Sequence, residues 1–140
     1  MKKYRLTEET TKVGNRTLYR IQALRDFGNV KEGDIGGYIE SEKNLSQDGN
    51  AWVSGDARVY GNADIKTTGD ICSMSGFGSE YRTTTAFRTK NGDVHVSCGC
   101  FQGNLEAFCQ RVESTHGNNL YGREYKKMIE MLKIHFEVEP

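Results

Sequence analysis

A six-residue repeat constrains the fold of this chain more than any other feature. The stretch Gly49-Asn-Ala-Trp-Val-Ser-Gly55-Asp-Ala-Arg-Val-Tyr-Gly61-Asn-Ala-Asp-Ile65 places glycine, Asn or Asp, alanine and a β-branched residue at fixed positions, and a weaker register covers 33–71. Such repeats are typical of parallel β-helices, whose small inward side chains stack between coils. We predict a short β-helix of roughly two coils. An antiparallel meander is the competing interpretation, because apolar alternation also fits half-buried strands.

Residues 3–24, before the repeat, have the pattern of a β-hairpin. Two strand-like runs flank the turn Val13-Gly14-Asn15, and alternation places Tyr19, Ile21 and Ala23 on one face of the second run. Residues 25–38 form a glycine-rich loop that matches neither a dinucleotide fingerprint nor a Walker sequence. We therefore interpret this loop as the entry turn to the β-helix, with phosphate binding as the alternative.

The composition changes after residue 72, and the rest of the chain predicts a small α+β unit. Residues 73–79 resemble a linker, and strands at 81–89 and 93–101 flank an Asn91-Gly92 turn. A helix begins after Asn104, and a second helix covers 123–136. Its inward residues are Tyr125, Met128, Ile129, Leu132 and Phe136. We predict two domains, 1–72 and 73–140, that pack on each other or on another subunit.

Charge and hydropathy exclude several classes of function. The 140 residues contain 19 Lys and Arg against 19 Asp and Glu, so the net charge is zero. Binding to a nucleic-acid polymer depends on clustered positive charge, which this chain lacks. The sequence shows neither a membrane-spanning run nor the apolar core of a secretion signal. We therefore expect a soluble cytoplasmic protein with no membrane partner.

The four cysteines and three histidines predict core packing more strongly than catalysis or metal binding. Cys98 and Cys100 share a strand face, and Cys109 lies on the apolar stripe of the next helix, but His95 points to the opposite face. The alternative is a zinc site built on these three cysteines. Hexapeptide acyltransferases use a histidine as general base, and residues 33–71 contain none. We predict no metal, no cofactor and no enzymatic activity.

The segment 75–85 is the candidate binding site, with a domain junction and an exposed strand as the alternative interpretation. It combines flexible glycines, hydroxyl groups, an arginine suited to phosphate and an aromatic ring suited to stacking on a base. His116 is a further residue to test. The predicted ligand contacts are Gly76, Gly78, Ser79, Tyr81, Arg82, Thr83 and Arg88.

Several motifs resemble a group of phage and prophage proteins. They are the opening Lys-Tyr-Arg-Leu-Thr-Glu-Glu-Thr, the run Gly33-Asp-Ile-Gly-Gly-Tyr-Ile-Glu40 before the Asn-Ala-x-Val hexads, and a tail with Arg-Thr-Thr-Thr-x-Phe-Arg-Thr and Cys-Gly-Cys-Phe. The resemblance implies left-handed β-helix repeats joined to a small C-terminal module. It transfers no catalytic residues.

Phage origin leads to a functional hypothesis. We expect a non-enzymatic homo-oligomer in the host cytoplasm that sequesters a small anionic or nucleotide-like ligand, a sponge for a signal of bacterial immunity, in pockets between subunits. The first alternative is a structural or host-protein-binding module with an exposed apolar patch near Trp52 and Tyr60. The second is a small transferase or hydrolase.

Overall fold

The computed structural model describes residues 2–138, which form two four-stranded sheets and two C-terminal helices. The first sheet has the order β1-β2-β3-β4 and the second the order β5-β6-β7-β8. The strands are β1 (Tyr4–Val13), β2 (Arg16–Ala23), β3 (Ile35–Ile39), β4 (Arg58–Val59), β5 (Ile71–Phe77), β6 (Arg82–Arg88), β7 (Val94–Cys98) and β8 (Phe101–Asn104). The helices are α1 (Leu105–Thr115) and α2 (Leu120–His135).

The predicted left-handed parallel β-helix over 33–71 is wrong. This segment contributes β3 and β4 to a mixed sheet, where they pair in parallel, and its far end joins β5 of the antiparallel second sheet. Some backbone hydrogen bonds of the hexads join them to residues that follow the repeat in the chain. The amide of Asp64 donates to Arg88 O at 2.9 Å, and Lys90 donates to Asn62 O at 2.9 Å. The hexads of residues 49–65 therefore lie between β3 and β6.

The repeat nevertheless predicts the core correctly. Its alanine and β-branched positions are all buried, because small and compact side chains fill the narrow space between the first sheet and β6. The buried members are Ala51, Val53, Ala57, Val59, Ala63 and Ile65. A period of six thus identifies the inward side chains, but it does not specify which strand each segment pairs with.

The loop predicted at 25–38 ends in β3, and two glycines allow that strand to approach the repeat. A Cβ at Gly36 would lie 2.5 Å from the carbonyl oxygen of Val53, and one at Gly37 would lie 2.7 Å from that of Ala57. The closeness lets Gly37 donate its N–H to Val53 O at 2.7 Å. The glycines therefore serve backbone packing in the first sheet.

The N-terminal hairpin is confirmed, with β1 and β2 antiparallel around a turn at Gly14, whose φ is +58°. The predicted face of β2 is only partly correct. Leu18 is fully buried and Tyr19 only partly, because the pairing of β2 with β3 shifts register between Arg20 and Gln22. A shift of one residue changes the face on which the following side chains lie.

The C-terminal hairpin and both helices are confirmed, but the predicted return strand 93–101 is too long. β7 ends at Cys98, Cys100 lies in a turn and so does not share a strand face with Cys98, and Phe101–Asn104 forms the unpredicted strand β8. β6 pairs with β7 across the Asn-Gly turn, and Asn104 caps α1 by accepting from the Ala107 N–H at 2.8 Å. The helix α2 begins earlier than predicted because Asn119 caps it. All five predicted inward residues of the second helix are buried. The predicted boundary between 72 and 73 stays a prediction.

The second sheet has two buried faces. Ala86, Val94 and Val96 pack against the helices, whereas Phe87 joins the core of the first sheet and the repeat. His95 follows Phe87 to that side, so its predicted position opposite the cysteine face is confirmed. Among the described residues, neither helix has the length and apolar character needed to cross a bilayer.

Candidate functional site

The candidate site is a cleft of about 280 Å³ between the ends of β6 and β7 and the two helices. The cleft is formed by Arg82, Cys98, Arg111, His116 and Tyr125, with Ser79, Glu80, Cys100, Phe101 and Phe108 at its walls and rim. Arg82 and Cys98 come from β6 and β7, whereas Arg111 and Tyr125 come from α1 and α2. Aromatic walls with a few converging polar groups are typical of small-molecule sites.

Cys98 and Tyr125 line the cleft and contact each other. The Thr84 hydroxyl donates to the Cys98 sulfur at 3.2 Å, and the Tyr125 Oη lies 3.6 Å from the same sulfur. Burial, followed by the hydrogen bond with Cys98, holds the pKa of Tyr125 well above its ordinary value. Tyr125 therefore keeps its proton near neutral pH and remains a hydrogen-bond donor.

Arg82 is held beside Cys98 by a glycine. The Arg82 Nη1 atom occupies the space that a Cβ at Gly99 would take, and Gly99 has a φ of +57°. This contact places the Arg82 guanidinium against the backbone of Gly99, the residue after Cys98. A side chain at position 99 would displace the arginine, so the glycine is part of the site.

Positive charge dominates the cleft. Arg82 and Arg111 both line it, and within residues 2–138 neither guanidinium forms an ion pair. Glu80 is the one carboxylate on the wall, and it is exposed. Arg111 also lies over the Phe101 ring, 5.5 Å from its centroid. Two guanidinium groups in one small cleft are suited to binding a carboxylate or phosphate.

A second concavity adjoins the cleft and shares Arg82 with it. This "outer hollow", of about 670 Å³, is formed by Tyr38, Asp56, Arg58, Tyr81, Arg82, Thr83 and Gly99. Asp56 is already paired with Arg20 at 3.1 Å, whereas Arg58 has no ion pair among the described residues. The hollow therefore presents two guanidinium groups and an exposed aromatic ring, Tyr81.

Tyr81 adopts an unusual backbone conformation in the outer hollow. Its φ is +53° and its side chain is 69% exposed. Residues other than glycine rarely adopt positive φ, and such strain is concentrated at functional sites. The conformation directs a large aromatic ring into solvent next to Arg82, where it is available to a planar ligand.

The predicted binding residues divide into three groups. Ser79 and Arg82 line the cleft, and Tyr81, Arg82 and Thr83 line the outer hollow. The two predicted glycines are not among the residues that line either concavity. Gly76 has nothing within 4 Å of a Cβ position, and Gly78 is packed under the Tyr125 ring with its N–H donated to Glu124 at 3.1 Å.

Arg88 lies apart from this region. It donates to the carbonyl oxygen of Phe136 at 2.9 Å, and its Nε lies 3.7 Å from a carboxylate oxygen of Asp70. These contacts join β6 to the end of α2 and leave the guanidinium occupied. The geometry therefore assigns Arg88 to packing of the helix on the sheet.

Sequence reasoning missed Arg58, Arg111 and Tyr125 as site residues, although it named His116 for testing. Arg58 is a variable position of the hexad, and Arg111 and Tyr125 belong to helices whose pattern signals only amphipathicity. Nothing local in the sequence marks them, because the cleft forms only when α1 and α2 pack on the second sheet. His116 does lie here, stacked on Tyr125 with ring centroids 5.7 Å apart.

A third hollow lies where the two sheets meet. The Tyr60 hydroxyl is 2.8 Å from His95 Nε2, and the His95 ring stacks on Phe87. Burial and nearby Arg16 lower the pKa of His95. Tyr60 is only 3% exposed, so it does not contribute to the exposed apolar patch that the protein-binding hypothesis predicts near Trp52 and Tyr60. We interpret these contacts as packing between the sheets.

The cysteines do not assemble a metal site in the described part of the chain. No group of three His, Cys, Asp or Glu side chains between residues 2 and 138 is placed to hold an ion. Cys98 and Cys109 are half-buried beside the core of the second sheet, and Cys100 is exposed.

Comparison with known proteins gives one finding about function. No family model matches the sequence. The chain is similar to the uncharacterized acetyltransferase YdcK of Escherichia coli (strain K12), with 32% identity over 103 residues that make up 67% of this chain and 32% of that protein. The chain thus spans about a third of the length of this curated relative.

This similarity corrects one prediction and leaves others untested. The prediction that the chain is not an enzyme is wrong, because the relative is named as an acetyltransferase. Its name does not bear on phage origin, host cytoplasm, nucleotide sequestration or oligomeric state, which stay predictions.

Proposed function

We propose that this chain is an acyltransferase that binds an anionic acyl thioester, such as acetyl-coenzyme A, across the cleft and the outer hollow. The observation that carries the proposal is the pair of guanidinium groups, Arg82 and Arg111, that line one cleft without an ion pair in residues 2–138. The similarity to an acetyltransferase supports acyl transfer as the reaction class.

The dimensions fit a division of the donor between the two concavities. A volume of about 280 Å³ suits an acyl group and the adjoining part of its carrier, and it is too small for a complete coenzyme. The outer hollow of about 670 Å³ has room for a nucleotide portion. Arg82 lies at the boundary of both, where it would contact phosphate.

The proposal keeps the class of ligand predicted from the sequence, but the ligand is now a substrate that reacts and is not sequestered. An acyl-coenzyme is a small anionic molecule with a nucleotide portion, and Arg58 and Arg82 would contact its phosphates while Tyr81 stacks on its base. The donor is consumed when its acyl group moves to an acceptor. A homo-oligomer in the host cytoplasm remains part of the proposal.

Titration calorimetry with acetyl-coenzyme A tests the binding step. Removing a hydrogen bond to a charged group costs roughly 1.5–3 kcal/mol, so Arg82→Ala and Arg111→Ala should each weaken binding roughly tenfold to more than a hundredfold. Arg5→Ala is the matched control, because Arg5 is exposed on β1 and its side chain, among residues 2–138, bonds only to Gln22, at 2.6 Å. Equal affinity in all three variants would refute the site.

Mass spectrometry of the reaction mixture tests the transfer step. Incubation with acetyl-coenzyme A and a mixture of amine and alcohol acceptors should give free coenzyme A and acetylated acceptor at a rate that depends on Arg82. A donor that binds and is recovered intact with every acceptor would contradict acyl transfer and would return the protein to the class of sequestering proteins.

A further inference from the structure

The cleft contains a nucleophile that the proposed function does not yet use. Cys98 is the last residue of β7, its sulfur accepts a hydrogen bond from Thr84 at 3.2 Å, and the Tyr125 hydroxyl lies 3.6 Å away. Cys98, Arg82 and Arg111 line the same cleft, so a ligand held by the arginines lies beside the thiol. The cleft therefore combines anion-binding groups with a nucleophile.

We propose that Cys98 accepts the acyl group from the thioester donor and forms an acyl-cysteine intermediate. This inference rests on the proposed function, because it assumes that an acyl thioester enters the cleft. It adds the order of events: the acyl group passes first to the protein and then to the acceptor.

The step is a thiol–thioester exchange. The Cys98 sulfur attacks the thioester carbonyl carbon, a carbon–sulfur bond forms at Cys98, and the carbon–sulfur bond of the donor breaks. The proton lost by the Cys98 thiol ends on the departing carrier thiol, so the products are acyl-Cys98 and free carrier. One thioester replaces another, and no oxidant, reductant or metal is required.

The surroundings of Cys98 favour this exchange. The Arg82 guanidinium lies against Gly99, the residue after Cys98, so positive charge lies close to the point of attack. Tyr125 retains its proton, and its hydroxyl lies 3.6 Å from the Cys98 sulfur. Thr84 is buried on β6 and holds the sulfur in place.

The other three cysteines lack this combination. Cys100 lines the rim of the same cleft, but it is exposed and has no side-chain hydrogen bond in residues 2–138. Cys109 lies on α1 and Cys72 on β5, and neither lines the cleft. Cys100 is therefore the matched control. It is also a thiol and lies two residues away, but it lacks the contacts with Thr84 and Tyr125.

The experiment is an incubation of the full chain with acetyl-coenzyme A and no acceptor, followed by acid quenching, intact mass measurement and peptide mapping. We expect one acetyl group per chain, on Cys98, removable by hydroxylamine as a thioester is and an amide is not. Cys98→Ala should carry no acetyl group, whereas Cys109→Ser, outside the cleft, should be labelled as the native chain is, and Cys100→Ser should still be labelled on Cys98. Acetylation of Cys100 at the same rate as Cys98 would show non-specific thiol chemistry and would overturn the proposal.

Binding and transfer measurements on Cys98→Ala separate this inference from the proposed function. Unchanged affinity for coenzyme A would show that the variant keeps its fold and its cleft. If that variant still acetylates an acceptor at the native rate, the covalent step is refuted and the acyltransferase proposal stands. If the native chain neither binds coenzyme A nor transfers acetyl, both proposals fall together.

Discussion

Two glycines at the end of β5 provide a matched pair for testing how the cleft is built. Gly76 and Gly78 have similar backbone conformations, with φ of +93° and +82°. A Cβ at Gly76 would have nothing within 4 Å, whereas a Cβ at Gly78 would collide with the Tyr125 ring, whose Cζ would lie 2.5 Å away. The two alanine substitutions therefore differ in one respect: only the one at position 78 displaces Tyr125.

The expected losses follow from that difference. A left-handed backbone costs a residue with a Cβ roughly 1–2 kcal/mol, so Gly76→Ala should lower the free energy of unfolding by about that amount. Gly78→Ala carries the same backbone cost, and overpacking against Tyr125 adds roughly 1–3 kcal/mol. The total for Gly78→Ala is about 2–5 kcal/mol, a large fraction of the ~5–15 kcal/mol that stabilises a typical protein.

Urea unfolding followed by circular dichroism measures both losses. The two variants should show the same dependence on urea as the native chain, with Gly78→Ala unfolding at the lower concentration. In a Tyr125→Leu background the ring is absent, and Gly78→Ala should then cost no more than Gly76→Ala. Equal losses for the two glycine variants in the native background would refute the contact between Gly78 and Tyr125.

Three further predictions concern the core, the pH response and a helix cap. Phe87→Ala should lower the free energy of unfolding by about 3–5 kcal/mol, because a ring only 1% exposed leaves a cavity between the sheets; a loss under ~1 kcal/mol by urea unfolding would contradict this. His95 has a folded pKa below its ordinary 6.5, so the unfolded chain binds the proton more readily and stability should fall as pH drops below that value; His95→Gln should flatten this part of the urea-midpoint profile. Asn104→Ala should cost about 1 kcal/mol by removing the cap of α1, with exposed Asn91→Ala as a control that should cost less in the same thermal melt.

Local signals predicted the elements of the C-terminal half well. The Asn-Gly turn, the Asn104 cap and the apolar stripe of α2 each depend on neighbours within a few residues, and the structure confirms all three. The strand β5 was missed because Ser73-Met-Ser-Gly-Phe resembles a linker. It forms a strand through its pairing with β6, for example Ser75 with Thr83, a tertiary effect that composition does not reveal.

The architecture of the repeat could not be predicted from its period. The hexads identify Val53, Val59 and Ile65 as inward residues, but the period does not show what their backbones pair with. Val53 and Val59 pair with β3, Ile65 bonds to Asn44 and Ser46, and the neighbouring Asp64 bonds to Arg88 of β6. Long-range pairing of this kind leaves no periodic trace in one sequence. The same limit applies to the cleft, since Arg82 and Arg111 meet only through the packing of α1 on the second sheet.

The two buried faces of the second sheet bear on how such a chain can evolve by exchange of segments. Phe87 and His95 project from β6 and β7 into the space occupied by Tyr60, while their neighbours in sequence face the helices. A recombination event that joined residues 73–140 to an unrelated N-terminal half would leave an aromatic surface without a partner. A segment that is exchanged between proteins should therefore include the last hexads of the repeat. A C-terminal half fused to an unrelated protein should remain monodisperse only if it carries these hexads.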